Sequence, residues 1–337
     1  MINKILIVGY GSIGTRHARV VKSLCPNIKI GILHHLKGST SSESDNFEFF
    51  NIEDALAFKP QIAIIANPSP FHLSVARSLA NAGIHLLIEK PLSDSMSQVE
   101  ALFETAKKNH SLITVGYNLR FLKSLQKFKS ILESGVIGRI HSIQCSVGQY
   151  LPSWRPGIDY RESVSANSRL GGGALLELSH ELDYLIWVFG SVEWVQAFIG
   201  HQSNLEIDVE DSVYLMMQFM GRNENGPIAA SVNLDFIRHD STRSCTAIGA
   251  LASLRWDGIN DRVEIWESSS NGWKELYAES SERDESYASQ FNHFMNTILA
   301  GDQDKSILNN GVAALELIEQ IRIAAISGNR IYLVSNN

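Results

Sequence analysis

The stretch Lys4–Gly14, KILIVGYGSIG, constrains the fold of this chain more than any other. Ile5, Leu6, Ile7 and Val8 form a short apolar run suited to a strand buried on both faces. Gly9-Tyr10-Gly11-Ser12-Ile13-Gly14 follows at once as a complete G-x-G-x-x-G, and Thr15–Leu24 reads as a helix. Strand, glycine turn and helix in this order predict a dinucleotide site. Gly9 makes the tight turn, Gly11 lets backbone approach a pyrophosphate, and Gly14 lets helix and strand pack closely. Ser12 and Ile13 lie in the turn that leads to the helix, whose first N–H groups and positive dipole end are offered to the phosphates. The alternative is a plain glycine turn in some other α/β protein. The flanking strand and helix decide against it.

Strands and helices alternate from there to about residue 120. Ile28–Leu33, Gln61–Ala66, Ile84–Ile88 and Ser111–Val115 read as strands. Ile52–Lys59, His72–Ala82 and Ser93–Asn109 read as helices. This predicts a doubly wound parallel sheet, a Rossmann domain over residues 1–121. From residue 122 the pattern changes. After a helix over Leu122–Ser134 come longer, alternating strands: Ile140–Gly148, Val192–Ile199, Ser212–Met220, Ala229–Phe236, Ser244–Gly249, Ala252–Trp256 and Val263–Glu267. Helices over Ala174–Phe189, Ser286–Leu299 and Gly311–Ser327 and a short strand from Ile331 complete an α+β domain over 122–337 with a large, mostly antiparallel open sheet. A chain of 337 residues is long for one core, which agrees with two domains.

Composition narrows the partners. A net charge of −7 argues against a nucleic-acid or anionic-membrane partner. No apolar run approaches the ~20 residues of a membrane span. The first residues run straight into a strand, so no signal peptide is expected. Cys25, Cys145 and Cys245 lie far apart in sequence without a C-x-x-C, as expected of reduced thiols in a cytoplasmic protein. No H-E-x-x-H or clustered Cys/His indicates a metal, and no G-x-S-x-G is present.

Cofactor choice turns on the residue after the second strand. The NAD fingerprint places an acid about 20 residues beyond the glycine motif, on the ribose 2′-hydroxyl. Here that position is His34, followed by His35 and Lys37. Histidines and lysine accept a 2′-phosphate where a carboxylate repels it, so the reading leans to NADP, or to both forms. The other reading makes the histidines solvated strand-end residues and lets NAD bind without the acid. Asn67 and Pro68 form a turn at the carboxyl end of the third strand, and His72 opens the next helix, both where such sheets bind ligands.

Two stretches carry chemistry. Lys90 follows the strand Ile84–Ile88 between Glu89 and Pro91, and Pro91 fixes the backbone so that the lysine is aimed rather than loose, at an edge from which it could reach a nicotinamide and a substrate hydroxyl. Taken alone, a lysine there is more often a solvated surface residue. Further on stands Gly171-Gly172-Gly173-Ala174-Leu175-Leu176-Glu177-Leu178-Ser179-His180-Glu181-Leu182-Asp183. On one helix Glu177, His180 and Asp183 share a face. A histidine between two carboxylates can be held in one tautomer as a base. A surface polar stripe is the alternative.

Gly9–Gly14 with His17, Glu89-Lys90-Pro91 and Gly171–Asp183, read together, resemble the Gfo/Idh/MocA oxidoreductases, which include glucose–fructose oxidoreductase and inositol dehydrogenase. The resemblance spans essentially the whole chain. It implies a nicotinamide cofactor, a sugar substrate, and hydride transfer assisted by Lys90 and His180. Many members carry an aspartate four residues before the histidine, whereas here Glu177 stands three before it. Family members commonly pair through the open face of the second sheet, which implies a homodimer or homotetramer. Tyr150–Arg161, YLPSWRPGIDYR, is similar to a branch met in surface-polysaccharide and nonulosonic-acid pathways. Arg120, Arg155, Arg161, Arg169 and Arg243 are candidates to clamp a sugar acid or the phosphates of a nucleotide-sugar. Asn118 lies beside them in sequence at Arg120, and Trp154 and Tyr160 are candidates to stack on a sugar or base. Structural ion pairs and buried aromatics are the alternative. The resemblance also admits two other functions: a glycosidase that uses NAD transiently, and a nucleotide-binding sensor, against which the presence of both Lys90 and His180 argues.

Overall fold

The computed structural model describes residues 2–34, 46–221, 226–301 and 306–333. The chain divides into two units, one formed by Met1–Asn118 with Arg283–Leu315, the other by Leu119–Glu282 with Glu316–Asn337. Among the described residues, no helix is long and apolar enough to cross a membrane.

In the first unit, strands β1 (Lys4–Val8), β2 (Lys29–Leu33), β3 (Phe47–Phe49), β4 (Ile62–Ile65), β5 (His85–Ile88) and β6 (Ile113–Val115) form one parallel sheet in the order β3-β2-β1-β4-β5-β6. This is the doubly wound arrangement read from the sequence. Helices α1 (Ser12–Leu24), α2 (Ile52–Ala57), α3 (His72–Asn81) and α4 (Val99–Lys108) connect the strands. Ile5, Leu6, Ile7, Ile62, Ala63, Ile64 and Ile65 are all fully buried, as expected of strands covered on both faces. The edge strand β3 was not expected. It has only three residues and its two phenylalanines pack on Phe58 rather than showing an alternating pattern. α4 starts at Val99, not at Ser93 as the pattern predicts. Residues 93–98, SDSMSQ, carry serines and an aspartate that compete for the backbone, and Gln98 is left-handed at φ 67°.

In the second unit, β7 (Ile140–Gly148), β8 (Val192–Gly200), β9 (Ser212–Phe219), β10 (Ile228–Asp235), β11 (Thr242–Gly249), β12 (Ala252–Asp257), β13 (Arg262–Glu267), β14 (Lys274–Ala278) and β15 (Ile331–Tyr332) form a sheet ordered β14-β13-β12-β11-β7-β10-β9-β8-β15. Every pairing is antiparallel except β7 with β10. Burial alternates along β9 and β12, so one face is packed and the other is open. The edge strand β14 was not expected. α5 (Lys123–Glu133), α6 (Ala174–Glu177) and α7 (His180–Phe189) belong to this unit. Cys145 and Cys245, remote in sequence, face each other across β7 and β11 as free thiols. Burial pushes both thiols up, so they stay protonated and unreactive.

The first unit ends at Asn118 and takes up a later segment, Arg283–Leu315. α8 (Glu285–Ala300), read as part of the second domain, belongs to the first unit, and α9 (Ser306–Ser327) follows it. Phe291 and Phe294 of α8 are fully buried in one cluster with Ile5, Ile7, Ile32, Ile64 and Val21, and Tyr287, Met295 and Ile298 pack around them. This apolar stripe covers the parallel sheet together with α1, so the chain returns to its first core.

Candidate active site

The predicted nucleotide residues of the first unit stand just past the ends of successive parallel strands. Gly9 follows β1, His34 follows β2, and Glu89 and Lys90 follow β5. Asn67 and Pro68 come two and three residues after β4. Backbone bonds carry the sheet past these ends, from Gly9 N–H to the Leu33 carbonyl and from Glu89 N–H to the Ile65 carbonyl, both 2.9 Å. A carboxyl edge of this kind is where α/β sheets bind ligands.

The glycine turn fits a pyrophosphate. A Cβ on Gly14 would overlap the carbonyl oxygen of Gly9, so helix and strand close up only with glycine there. Gly11 is the opposite case: it is exposed, extended at φ −76°, and a Cβ would meet nothing within 4 Å. That open space lies at the N-terminus of α1, whose first turn contains no acidic side chain and whose Ser12 is exposed. The first N–H groups of a helix lack partners inside it, and here no side chain caps them from the N-cap position, an arrangement suited to an anion. The Asn67 Oδ1, buried without a hydrogen-bond partner, is a further acceptor at this edge.

Other residues assigned to the cofactor support the edge from within. Glu89 is 7% exposed, and its Oε1 lies 2.6 Å from the Nε2 of fully buried His17. Its Oε2 accepts the Lys90 N–H at 3.2 Å. Glu89 thus braces the lysine turn from beneath. His72 lies behind the same edge. It is 1% exposed, with Nε2 2.7 Å from the Asn67 carbonyl oxygen and Nδ1 3.1 Å from that of Pro91, so it ties the asparagine turn to the lysine turn. Asn118, assigned to substrate, is buried and donates to Ser286 Oγ at 2.8 Å. His34 is buried, and His35 and Lys37 lie outside the described residues.

In the second unit the single helix expected over Ala174–Phe189 is two. Ser179 N–H bonds the Leu176 carbonyl and Glu181 N–H the Leu178 carbonyl, each one residue short of the α-helical step. The break leaves His180 as the first residue of α7. At the head of α6, Gly173 stands at φ 104°, and the place of its missing Cβ is taken by the Glu210 carboxylate. That carboxylate accepts the Leu175 N–H at 2.9 Å.

From Gly171 to Ile186 every residue is buried except Glu177 and His180. Asp183, expected on the same stripe, turns inward to 1% exposure. Both its oxygens accept from Arg120, from Nε at 2.8 Å and Nη2 at 2.6 Å. Arg243 Nε likewise donates to fully buried Glu181 at 2.8 Å. Arg120 and Arg243, read as substrate clamps, are thus internal partners of the helix that carries His180. Arg161 is exposed and bonded to Asp159 and Glu206. Trp154 gives its indole N–H to the Gln149 carbonyl, and Tyr160 Oη accepts the Glu206 N–H. Trp154, Arg155 and Tyr160 line one shallow pocket. Among the described residues, Arg155 makes no ion pair. Tyr184 lies one turn beyond His180, with its hydroxyl 3.1 Å from Cys145 Sγ and its ring edge-on to Trp256. Sequence reasoning missed Glu210, Glu181 and Tyr184, because each acts through a partner distant in the chain.

Comparison with known proteins agrees with both halves. Residues 3–117 match the model of an oxidoreductase family with an NAD-binding Rossmann fold, and residues 125–255 match the Gfo/Idh/MocA C-terminal domain. The chain belongs to the Gfo/Idh/MocA oxidoreductases. An uncharacterized oxidoreductase of Bacillus subtilis strain 168, YrbE, is 27% identical over 67% of this chain and 65% of its own length. The myo-inositol 2-dehydrogenase of Thermotoga maritima is 24% identical over 95% of this chain and 97% of its own. Among solved structures, the WlbA dehydrogenase of Bordetella pertussis in complex with NADH and UDP-GlcNAcA superposes with a TM-score of 0.81 over all of both chains at 21% identity. That likeness establishes the fold.

Proposed function

We propose that this oxidoreductase moves a hydride between a nicotinamide cofactor and a secondary alcohol or ketone of a sugar, sugar acid or nucleotide-sugar. The observation that carries the reading is that Glu177 and His180 alone stay partly accessible on a stretch otherwise buried and ion-paired from within.

Gly9, Gly11, Gly14 and the first turn of α1 would hold the pyrophosphate, and the bound nicotinamide would supply the hydride acceptor or donor. His180 takes the proton of the substrate hydroxyl as general base, and Lys90 donates a hydrogen bond to the reacting oxygen as negative charge develops there. Glu177 orients the imidazole. Trp154, Arg155 and Tyr160 receive the rest of the substrate. The nucleotide-sugar end of the range is supported by the ligand named with the WlbA structure, and a place in surface-polysaccharide metabolism by the resemblance of the Tyr150–Arg161 loop alone. Exposed Phe198, Tyr214 and Met216 on the open face of β8 and β9 support pairing with a second copy.

The test is single-turnover hydride transfer, followed by nicotinamide absorbance with a panel of sugars and nucleotide-sugars. Lys90→Ala and His180→Ala should each slow the step by roughly 10²-fold or more, with nucleotide affinity little changed. Near-normal transfer by His180→Ala would remove this mechanism. Release of an aglycone without net reduction would assign the glycosidase reaction instead.

A further inference from the structure

Position 34 lacks the acid that the NAD fingerprint places after the second strand, but the structure brings a carboxylate there from the neighbouring strand. β3 runs parallel to β2 with Glu48 opposite Ile32, and His34 N–H extends the ladder to the Phe49 carbonyl at 2.9 Å. Glu48 Oε1 lies 3.9 Å from His34 Nε2. The His34 ring is 6% exposed, stacks on Phe50 at 5.3 Å and 20°, and meets Tyr10 edge-on at 6.2 Å between centroids. Tyr10 belongs to the glycine turn. A continuous set of contacts thus runs from the pyrophosphate turn through Tyr10 and His34 to a carboxylate that is itself partly exposed.

We propose that Glu48 sets the cofactor choice: its carboxylate stands at the carboxyl end of β2, where the ribose 2′-position falls in this fold, and selects NAD over NADP. This rests on the dinucleotide site proposed above. It departs from the lean to NADP drawn from His34, His35 and Lys37, of which only His34 is among the described residues. The His34 imidazole does not point outward to receive a phosphate; it is packed between aromatic rings with Nε2 towards Glu48. A 2′-phosphate brought to this edge would meet a negative charge from the adjacent strand, whereas a 2′-hydroxyl would meet a hydrogen-bond acceptor.

The experiment titrates NADH and NADPH into the full chain, without sugar, and reads nicotinamide fluorescence at low salt. The unsubstituted protein should bind NADH about tenfold or more tightly than NADPH, a gap that salt narrows by screening. Glu48→Gln should tighten NADPH by about fivefold while leaving NADH within about twofold, and Glu48→Lys should narrow the gap further or reverse it. Equal or tighter binding of NADPH by the unsubstituted protein, or an unchanged gap in both variants, overturns the role of Glu48. Failure of both nucleotides to bind overturns the dinucleotide site itself and is read separately.

Discussion

The two units hold their polar machinery by different devices. At the nucleotide edge of the first, backbone does most of the work: a glycine admits close packing, another leaves space, and the N–H groups of α1 face outward. In the second, buried charged side chains fix the helix that carries His180, with Asp183 held by Arg120 and Glu181 by Arg243. A backbone-built site is damaged by adding atoms. A side-chain-built site is damaged by taking them away, because the partner left behind is a buried charge.

Removal should have the largest effect. Arg120→Ala leaves the Asp183 carboxylate at 1% exposure without its guanidinium. The expected loss is about 3–5 kcal/mol, read as a fall in urea midpoint or Tm. Replacing both partners, as Arg120→Met with Asp183→Leu, should recover most of it, since no buried charge then remains. A loss below about 1 kcal/mol for Arg120→Ala would put the pair with weak surface bridges and erase the contrast.

Addition at the nucleotide edge comes next. Gly11→Val places its side chain where no protein atom lies within 4 Å, on a backbone any residue adopts. Stability without nucleotide should therefore stay within about 0.5 kcal/mol of the parent. Nucleotide affinity should fall by roughly 10²-fold, because the added methyls occupy the approach to the pyrophosphate. Unchanged NADH titration would show that the turn does not serve the phosphates.

The same contrast explains what was legible in the sequence. Devices made of backbone leave local marks: G-x-G-x-x-G between an apolar run and a helix gave the parallel sheet and its binding edge, and strand alternation gave the second sheet. Devices made of side-chain pairs leave no such mark. Arg120 and Asp183 stand 63 residues apart, and Arg243 and Glu181 62 apart, so the arginines read as ligand clamps. Helix periodicity placed Glu177, His180 and Asp183 on one face, but it carries no sign of the tightened steps at Ser179 and Glu181 that split the helix. α8 packs in the core of the first unit, which its sequence does not specify, because an amphipathic stripe states that it needs a core, not which one.

The smallest effect tests a junction of the two devices, at the glycine that opens α6. Glu210 and Asp211 are adjacent carboxylates with opposite shifts. Burial pushes Glu210 above the usual glutamate range, and the Leu175 N–H and the nearby Arg322 do not offset it. Burial also pushes Asp211 up, but the Ser203 hydroxyl, the Gln202 and Ser203 N–H groups and the Ser212 hydroxyl outweigh it, leaving Asp211 below the usual range. The signs follow by linkage. A raised carboxyl favours its protonated form in the fold, so the Glu210 contribution is present below about pH 4.3, the usual glutamate value, and is lost as pH rises through its folded value. A lowered one does the reverse: the Asp211 contribution is present above about pH 3.9 and is lost as pH falls through its folded value. Urea midpoints between pH 3 and pH 8 should show Glu210→Gln, which keeps an acceptor for Leu175, gaining on the parent as pH rises. Asp211→Asn should instead lose ground over the same range, each change being on the order of 1 kcal/mol. If both variants run parallel to the parent at every pH, the two carboxylates do not differ as their surroundings require, and Glu210 is no more than a spacer beside Gly173.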